Sequence, residues 1–485
     1  MSVPKLDICI NGEWRTSRTM EWMAVTNPST GEVIAETPAA TADEVNDAIA
    51  AAKKAFPGWA DTPLPDRIRV LFRYKALIET HFEALALLLS TEMGKVLTES
   101  KKELHKTIEA IEGACALAPF LSGNTLMNAA DGMDTLSYRE PLGVFSGIAP
   151  FNFPAMIPMG WLVPYAIATG NTFVLKAASR VPQTAMQLLK LLQDAGLPKG
   201  VVNLVTCGKN EAVLFSTHPD IRGVAFVGST RIGRQVYQTA ASHNKRVQAL
   251  TEAKNHALIL RDCVLEKCVA DFFKATYSCA GQRCMAMPVA VVEEGIADDF
   301  CEKLITRAQR MRVGPATDKL SELGPVVSNQ RLKIVLEWIE KGISQGAKLV
   351  LDGRSVSVSG FEKGFFVGPT IFDDVTPGMS VGDEEIFGPV TCIKRVSSFE
   401  EGLTLMNRNH FGKSSVIYTQ SGRLAREFVR RTESGMVGVN VGIPSPHSLF
   451  PFCGHKDSFF GDLHTLGRDG AAFFTETKSV TSTWF

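Results

Sequence analysis

Two consecutive α/β units, each with a parallel sheet, are what the sequence predicts, on three observations. At 485 residues the chain exceeds what one hydrophobic core usually serves, so two or three domains are expected. From Gly143 the chain alternates short apolar runs with helical patterns, and a second alternating block runs from about His256 to Val439. Strand and helix in alternation imply a parallel sheet with helices on its faces, because parallel neighbours need a crossover.

The elements follow in order. Cys9 to Trp14 reads as a hairpin turning at Asn11-Gly12. Thr41 and Glu44 form a capping box, with a helix to about Phe56. Pro65 to about Ser122 is largely helical with a break near Gly94, and Leu104, Ile108 and Ile111 make one apolar stripe. Strands are expected at Val144 to Ile148, Thr172 to Leu175, Val201 to Val205 and Arg222 to Val227. Helices are expected at Met156 to Ala168, Pro182 to Asp194, near Glu211 and from Thr230. The second block has strands at His256 to Leu260, Val289 to Val292, Phe366 to Ile371, Val390 to Lys394 and Ser415 to Tyr418. The tail, Ala472 to Phe485, reads as an edge strand suited to pairing with another subunit.

Composition narrows the partners. Hydrophobic residues make up 45% and charged residues 21%, and Lys+Arg equals Asp+Glu at 51. This balance gives no electrostatic reason to expect nucleic acid or an anionic membrane. Met1 to Asp7 carries no apolar signal core. The uncharged run Pro141 to Leu175 is broken by Pro150, Pro154, Pro158 and Pro164, which argues against a spanning helix. The 10 cysteines show no C-x-x-C pair and no ligand-like spacing. A reducing cytosol, no bound metal and no disulfide framework are therefore expected.

Chemistry concentrates at a few positions. Cys284 directly follows Arg283, with Ala280 and Gly281 upstream. A cation beside a thiol favours the reactive thiolate, but a lone cysteine reads more readily as a buried small residue. Asn152 stands between Pro150 and Pro154, where its amide is suited to an oxyanion or to a rigid loop. Gly228-Ser229-Thr230 joins a strand to a helix, which reads as a phosphate site or an ordinary turn, since neither G-x-G-x-x-G nor a Walker A loop is present. Glu385 lies two residues before Phe387, a pairing for a ribose and a flat ring, or for a strand end.

Taken together, these stretches resemble the aldehyde dehydrogenase superfamily over nearly the whole chain. Within it, Gly147 to Pro158, Ala253 to His256, Gly281 to Ala286, Gly438 to Pro444 and Ser458 to Asp462 look most like the CoA-acylating methylmalonate-semialdehyde dehydrogenase branch. The resemblance implies a Rossmann-type cofactor domain over 1–124 and 143–250 and an α/β catalytic domain over 251–446. It also implies a small β oligomerisation element over 125–142 and 465–485, in a homodimer or homotetramer. Cys284 would be the nucleophile, with Asn152 and the Cys284 N–H as oxyanion hole, and Cys279 a packed neighbour. NAD or NADP would lie on Ile148, Pro150, Phe151, Lys176, Ser179, Gly208, Gly228, Ser229, Ile232, Glu385 and Phe387. Substrate would meet Lys106, Arg283, Phe153 and His447.

Four departures matter. Leu250 stands where most of the superfamily has its hydrolytic base, and Glu252 stands where the branch has glycine. Glu252 is then either a displaced base or an obstacle at the nicotinamide. Ser179 replaces a carboxylate that would repel a 2′-phosphate. Lys106 replaces an arginine, losing the bidentate fork. The loop Pro446 to Leu449 is more polar than expected. The expected function is oxidation of a small anionic aldehyde by NAD(P), with release of the Cys284 thioester to CoA as co-substrate. The alternatives are hydrolysis to a free acid, such as a sulfonated one, and a catalytically impaired paralogue.

Overall fold

A five-residue crossing, Thr251 to Asn255, carries the chain from the first large sheet into the second. The computed structural model describes residues 3–484, and Phe485 of the predicted tail strand lies outside them. The first sheet has eight strands in the order Glu13–Arg15, Ile8–Ile10, Val202–Val205, Thr172–Lys176, Val144–Ile148, Ile221–Val227, Arg246–Leu250 and Phe459–Gly461. The five from Val202 to Leu250 in that order are parallel, and antiparallel strands close both edges. From Val144–Ile148 the chain steps outward in one direction to Thr172 and Val202. It then returns to the other side at Ile221. The order therefore reverses between Val144–Ile148 and Ile221–Val227, and ligands of such sheets bind beyond the carboxyl ends at that reversal.

The second sheet has seven strands, in the order Lys348–Leu351, Thr370–Asp373, Val390–Val396, Val289–Glu293, His256–Ile259, Ser414–Tyr418 and Met436–Val439. All pairs except the first are parallel. Each sheet has its own core. One gathers around Phe145, Trp161, Tyr165 and Phe173, and the other around Phe272, Phe300, Phe372 and Phe428.

Most predicted elements lie where expected. Asn11 and Gly12 both take positive φ at the hairpin turn, and both bonds of the Thr41–Glu44 capping box form. Some bounds differ. The first helix runs on through Pro57 to Ala60. The strand expected from Phe366 begins only at Thr370. The helix expected over Met156 to Ala168 is π-helical from Ile157 to Leu162 and α-helical from Val163. Pro158 and Pro164 lack N–H groups for the regular ladder, and the wider turn absorbs the mismatch. Strands at Trp22–Thr26, Val33–Pro38, Arg246–Leu250 and Met436–Val439 were not legible as strands.

Thr475–Thr483 pairs along its length with Met133–Pro141, and Thr125–Ala130 adds a third strand. Leu126, Met127, Tyr138 and Trp484 are exposed on this small sheet. The segment before the tail strand is not β but a helix, Gly467–Phe473. Phe473 and Phe474 pack edge-on against Phe145, at 5.4 and 4.8 Å between ring centroids. Phe473→Ala should therefore cost about 3–5 kcal/mol, as for a large aromatic removed from a core. A denaturant midpoint that moves by the equivalent of less than about 1 kcal/mol would show that this helix is not part of the first core.

Candidate active site

The residues expected from the sequence to hold a dinucleotide gather near the strand reversal of the first sheet. Ile148 and Ile232 border one apolar cluster around Phe226, forming a wall beside the Thr230–Ser242 helix start. Lys176 ends its strand with an ammonium whose one hydrogen bond among the described residues is a long 3.5 Å bond to the Ala177 carbonyl, and burial pulls its pKa down. Ser179 makes no side-chain hydrogen bond among the described residues, and Gly208 precedes the short helix Lys209–Ala212. Phe151 and Phe387 meet at right angles, 5.8 Å apart, and Arg331 lies 5.5 Å over Phe387. Pro150 lies half-buried between Ile148 and Phe151. A flat ring, two sugars and a phosphate bridge fit this set of walls and donors. Among the described residues no group of three or more His, Cys, Asp or Glu is placed to hold a metal ion.

The loop that carries Cys284 lies at the amino edge of the second sheet, just before Val289–Glu293. Cys279, Ala280 and Gly281 take three successive left-handed conformations, with φ of 55°, 52° and 69°. Two of these are unfavourable for residues with a Cβ, so the surroundings must hold them. Glu99 accepts the Cys279 N–H at 2.8 Å, and Gln282 Oε1 accepts the Val327 N–H at 3.0 Å. A Cβ on Gly281 would lie 2.1 Å from the Gly388 carbonyl oxygen, so only glycine fits. Asn255 donates to the carbonyls of both Cys284 (2.9 Å) and Ala286 (2.7 Å), fixing the nucleophile's backbone.

Asn152 is buried and donates one N–H to the Gln282 carbonyl at 3.1 Å, which leaves the other for an oxyanion. Its own carbonyl accepts from Lys95 at 2.8 Å. Lys95 also pairs with buried Glu103, which in turn accepts the Ala155 and Met156 N–H groups. Burial pushes the Cys284 thiol up, while Lys413 and Arg283 pull it back and Glu385 opposes them. Burial and then Glu99 push Cys279 up to about 12, which makes it inert beside Cys284.

Glu252 does not reach the nucleophile through a hydrogen bond. Its carboxylate accepts the Thr230 N–H at 2.7 Å. Ser229 is the N-cap residue of that helix, but its hydroxyl makes no capping bond, so Glu252 supplies the acceptor. An anion at a helix start is electrostatically favoured, and a pyrophosphate would seek the same N–H groups. Leu250, aligned with the hydrolytic base, is buried in the first core.

On the substrate side, the structure separates two residues expected to act together. Lys106 is exposed and paired with Glu109 at 2.7 Å, and Glu109 also accepts the Ser448 N–H. Arg283 has no ion-pair partner among the described residues and lies 6.0 Å over the buried Phe153 ring. His447 sits exposed on the loop beside Ser448, its ring nitrogen accepting the Leu449 N–H. Asn255, Lys95 and Lys413 were not picked out as site residues from the sequence. Asn255 lay within a quoted motif, whereas a lysine beside an apolar strand gave no sign of where its ammonium would point.

Two large α/β sheets, a strand reversal in the first and an asparagine amide bonded to the backbone two residues before Cys284 are the architecture of an α/β oxidoreductase. The chain belongs to the aldehyde dehydrogenase family, whose profile matches residues 14–480. The malonate-semialdehyde dehydrogenase 1 of Oceanobacillus iheyensis is 44% identical over 98% of both chains. The solved structure of a methylmalonate-semialdehyde dehydrogenase from Oceanimonas doudoroffii superposes with a TM-score of 0.98 at 39% identity, covering 99% of each chain. A Sinorhizobium meliloti 1021 protein, solved with NAD and provisionally assigned that activity, gives 0.98 at 40% identity over 100% of this chain and 98% of its own.

Glu385 supplies a pH test. Its Oε1 accepts the Ala253 N–H at 2.9 Å. Burial first, and Glu252 second, raise its pKa to about 7. The ionised form is the better acceptor for ribose hydroxyls, so cofactor affinity should rise with pH through about 7. Glu252→Gln removes the repelling charge and should move that midpoint downwards, and calorimetric titration with NAD at several pH values measures it. A midpoint unchanged in the variant would separate Glu252 from Glu385.

Proposed function

We propose that the protein oxidises a small semialdehyde ending in an anion, of the malonate or methylmalonate semialdehyde class, and passes the acyl group to CoA. The observation that carries this is the absence of a base at Cys284. Leu250 is apolar, Glu252 is engaged by the Thr230 N–H, and no side chain hydrogen-bonds the Cys284 thiol among the described residues. The names of the similar proteins support the substrate class.

A bound nicotinamide dinucleotide supplies the hydride acceptor. The residues supply the rest. The Cys284 sulfur adds to the aldehyde carbon, and the free Asn152 N–H faces the oxygen that gains charge. Loss of hydride leaves a thioester on Cys284. Water needs a base to attack it, whereas a CoA thiol is partly ionised near pH 8 and attacks unaided. Ser179 leaves the adenosine ribose site without a carboxylate, so NADP is accepted alongside NAD. The exposed three-stranded sheet supports an oligomerisation role for 125–142 and the tail strand in a homodimer or homotetramer. No helix among the described residues is long and apolar enough to cross a membrane, and a cytoplasmic location is part of this reading.

Turnover is expected as a burst of NADH, then a slow phase that CoA accelerates on the order of 10²-fold, the scale of general-base help. Full-rate turnover without CoA, with free acid as the product, overturns the acylating assignment. The substrate's anion is expected to meet Arg283, whose charge is unpaired. Arg283→Met should lower kcat/KM for a carboxylated aldehyde about 10- to 100-fold, the worth of a charged hydrogen bond, and affect propanal less. Equal losses on both would sink the assignment of Arg283 to the anion.

A further inference from the structure

Lys95 and Glu103 form an ion pair with no exposed side-chain surface, and between them they hold the segment that carries Asn152. A left-handed turn at Gly94, with φ of 90°, brings Lys95 to the start of the helix Leu97–Cys115, and Glu103 lies in that helix's second turn. Lys95 donates to the Asn152 carbonyl at 2.8 Å and stands 4.0 Å over the Phe153 ring. Glu103 gives one oxygen, Oε2, to Lys95. The other, Oε1, accepts the N–H groups of Ala155 at 2.9 Å and Met156 at 3.1 Å. Those N–H groups open the helical segment 157–168, where the first donors lack partners within the helix. Residues 152, 153, 155 and 156 are thus all gripped by one ion pair. The helix bearing Glu103 also lies close on that segment, since a Cβ on Gly160 would sit 3.2 Å from the Thr107 Cα. Replacing a buried ion pair by apolar residues is often neutral for stability, so its use here is direction more than strength.

Asn152 is the member of this segment with chemistry to aim. Its amide donates to the Gln282 carbonyl at 3.1 Å. Gln282 is anchored in turn, its side chain donating to the Cys279 carbonyl at 3.3 Å and accepting the Val327 N–H at 3.0 Å. The Asn152 side chain therefore spans two separately fixed backbones, its own, held by Lys95, and that of Gln282. A shift of its own backbone would turn the second amide N–H away from its line. We propose that Lys95, paired with Glu103, is a positioning residue of the reaction: it fixes the Asn152 backbone so that the free amide N–H points at the oxygen that gains charge when Cys284 adds to the aldehyde. Lys95 acts only through Asn152, and none of its own bonds changes. The inference rests on Asn152 and Cys284 having the roles proposed above.

The test is a double-mutant cycle of Lys95→Met with Asn152→Ala, read as the rate constant of the NADH burst on propanal at saturating NAD. Asn152→Ala should slow the burst about 10²–10³-fold, the worth of one oxyanion donor. Lys95→Met should slow it roughly 10- to 100-fold, the scale of a small misplacement. The two together should be no slower than Asn152→Ala alone, because Lys95 has nothing left to aim. Losses that multiply overturn the proposal, as does a wild-type burst in Lys95→Met. Alkylation of Cys284 by iodoacetamide, followed by peptide mass spectrometry, forms no oxyanion and should keep its wild-type rate in Lys95→Met. An alkylation rate that falls along with the burst would show a general collapse of the site and would also overturn it. If Lys95→Met does not fold, Lys95→Met/Glu103→Gln takes its place, since it removes both charges and keeps an acceptor for Ala155 and Met156. Its burst should stay slow, and a wild-type rate overturns the proposal. A wild-type burst in Asn152→Ala would instead remove the oxyanion reading itself and this inference with it, whereas multiplying losses remove the inference alone.

Discussion

The crossing from Thr251 to Asn255 is the constraint on which the site depends. It leaves the carboxyl edge of one sheet and enters the amino edge of the other, and every residue in it is held. The Thr251 carbonyl accepts from Lys413, and its hydroxyl donates to the Asp457 carbonyl at 2.6 Å. Glu252 takes the Thr230 N–H, the Ala253 N–H goes to Glu385, and Lys254 donates to the Val381 carbonyl. Asn255 fastens the nucleophile loop. A Cβ on Gly233 would meet the Thr251 methyl at 2.3 Å, so a glycine on the helix lets the crossing pass. The first sheet and the second, with the Cys284 loop at its edge, are thereby registered through five residues.

Buried charge does the remaining positioning. Glu103, Glu99 and Glu92 each reach across from the helical segment to cap backbone N–H groups elsewhere, at Ala155 and Met156, at Cys279, and at Gln183 and Thr184. A carboxylate that accepts backbone N–H bonds fixes direction as well as distance. Removing one partner of such a set leaves the other uncompensated in a low dielectric, typically at 3–5 kcal/mol. The Asn152 backbone, through Lys95 and Glu103, and the strained turn before Cys284, through Glu99, are therefore held from behind.

The site also departs electrostatically from a simple anion receptor. A carboxylate, Glu252, occupies the helix start that suits a phosphate, and its repulsion is one reason that Glu385 titrates near neutral pH. The lysine at 413 lies within electrostatic reach of both the thiol and Glu385.

The sequence by itself determined the two alternating sheets, the hairpin at Asn11-Gly12, the capping box at Thr41 and the motif around Cys284. Each depends on local period or on turn and cap chemistry that a few neighbouring residues specify. It also carried the departures at Leu250, Glu252, Ser179 and Lys106, since identity at a position needs no coordinates. Tertiary structure decided where charge goes. Lys106 looked like a substrate grip and is paired with Glu109 on its own helix, whereas Arg283 makes no salt bridge among the described residues. Glu252 looked like a base and lies on a helix start that is 22 residues away in sequence. The burial of Lys413 against Thr251, 162 residues distant, has no local signature at all. Long flexible side chains find partners set by packing between distant segments, so their roles are fixed only when the two sheets meet.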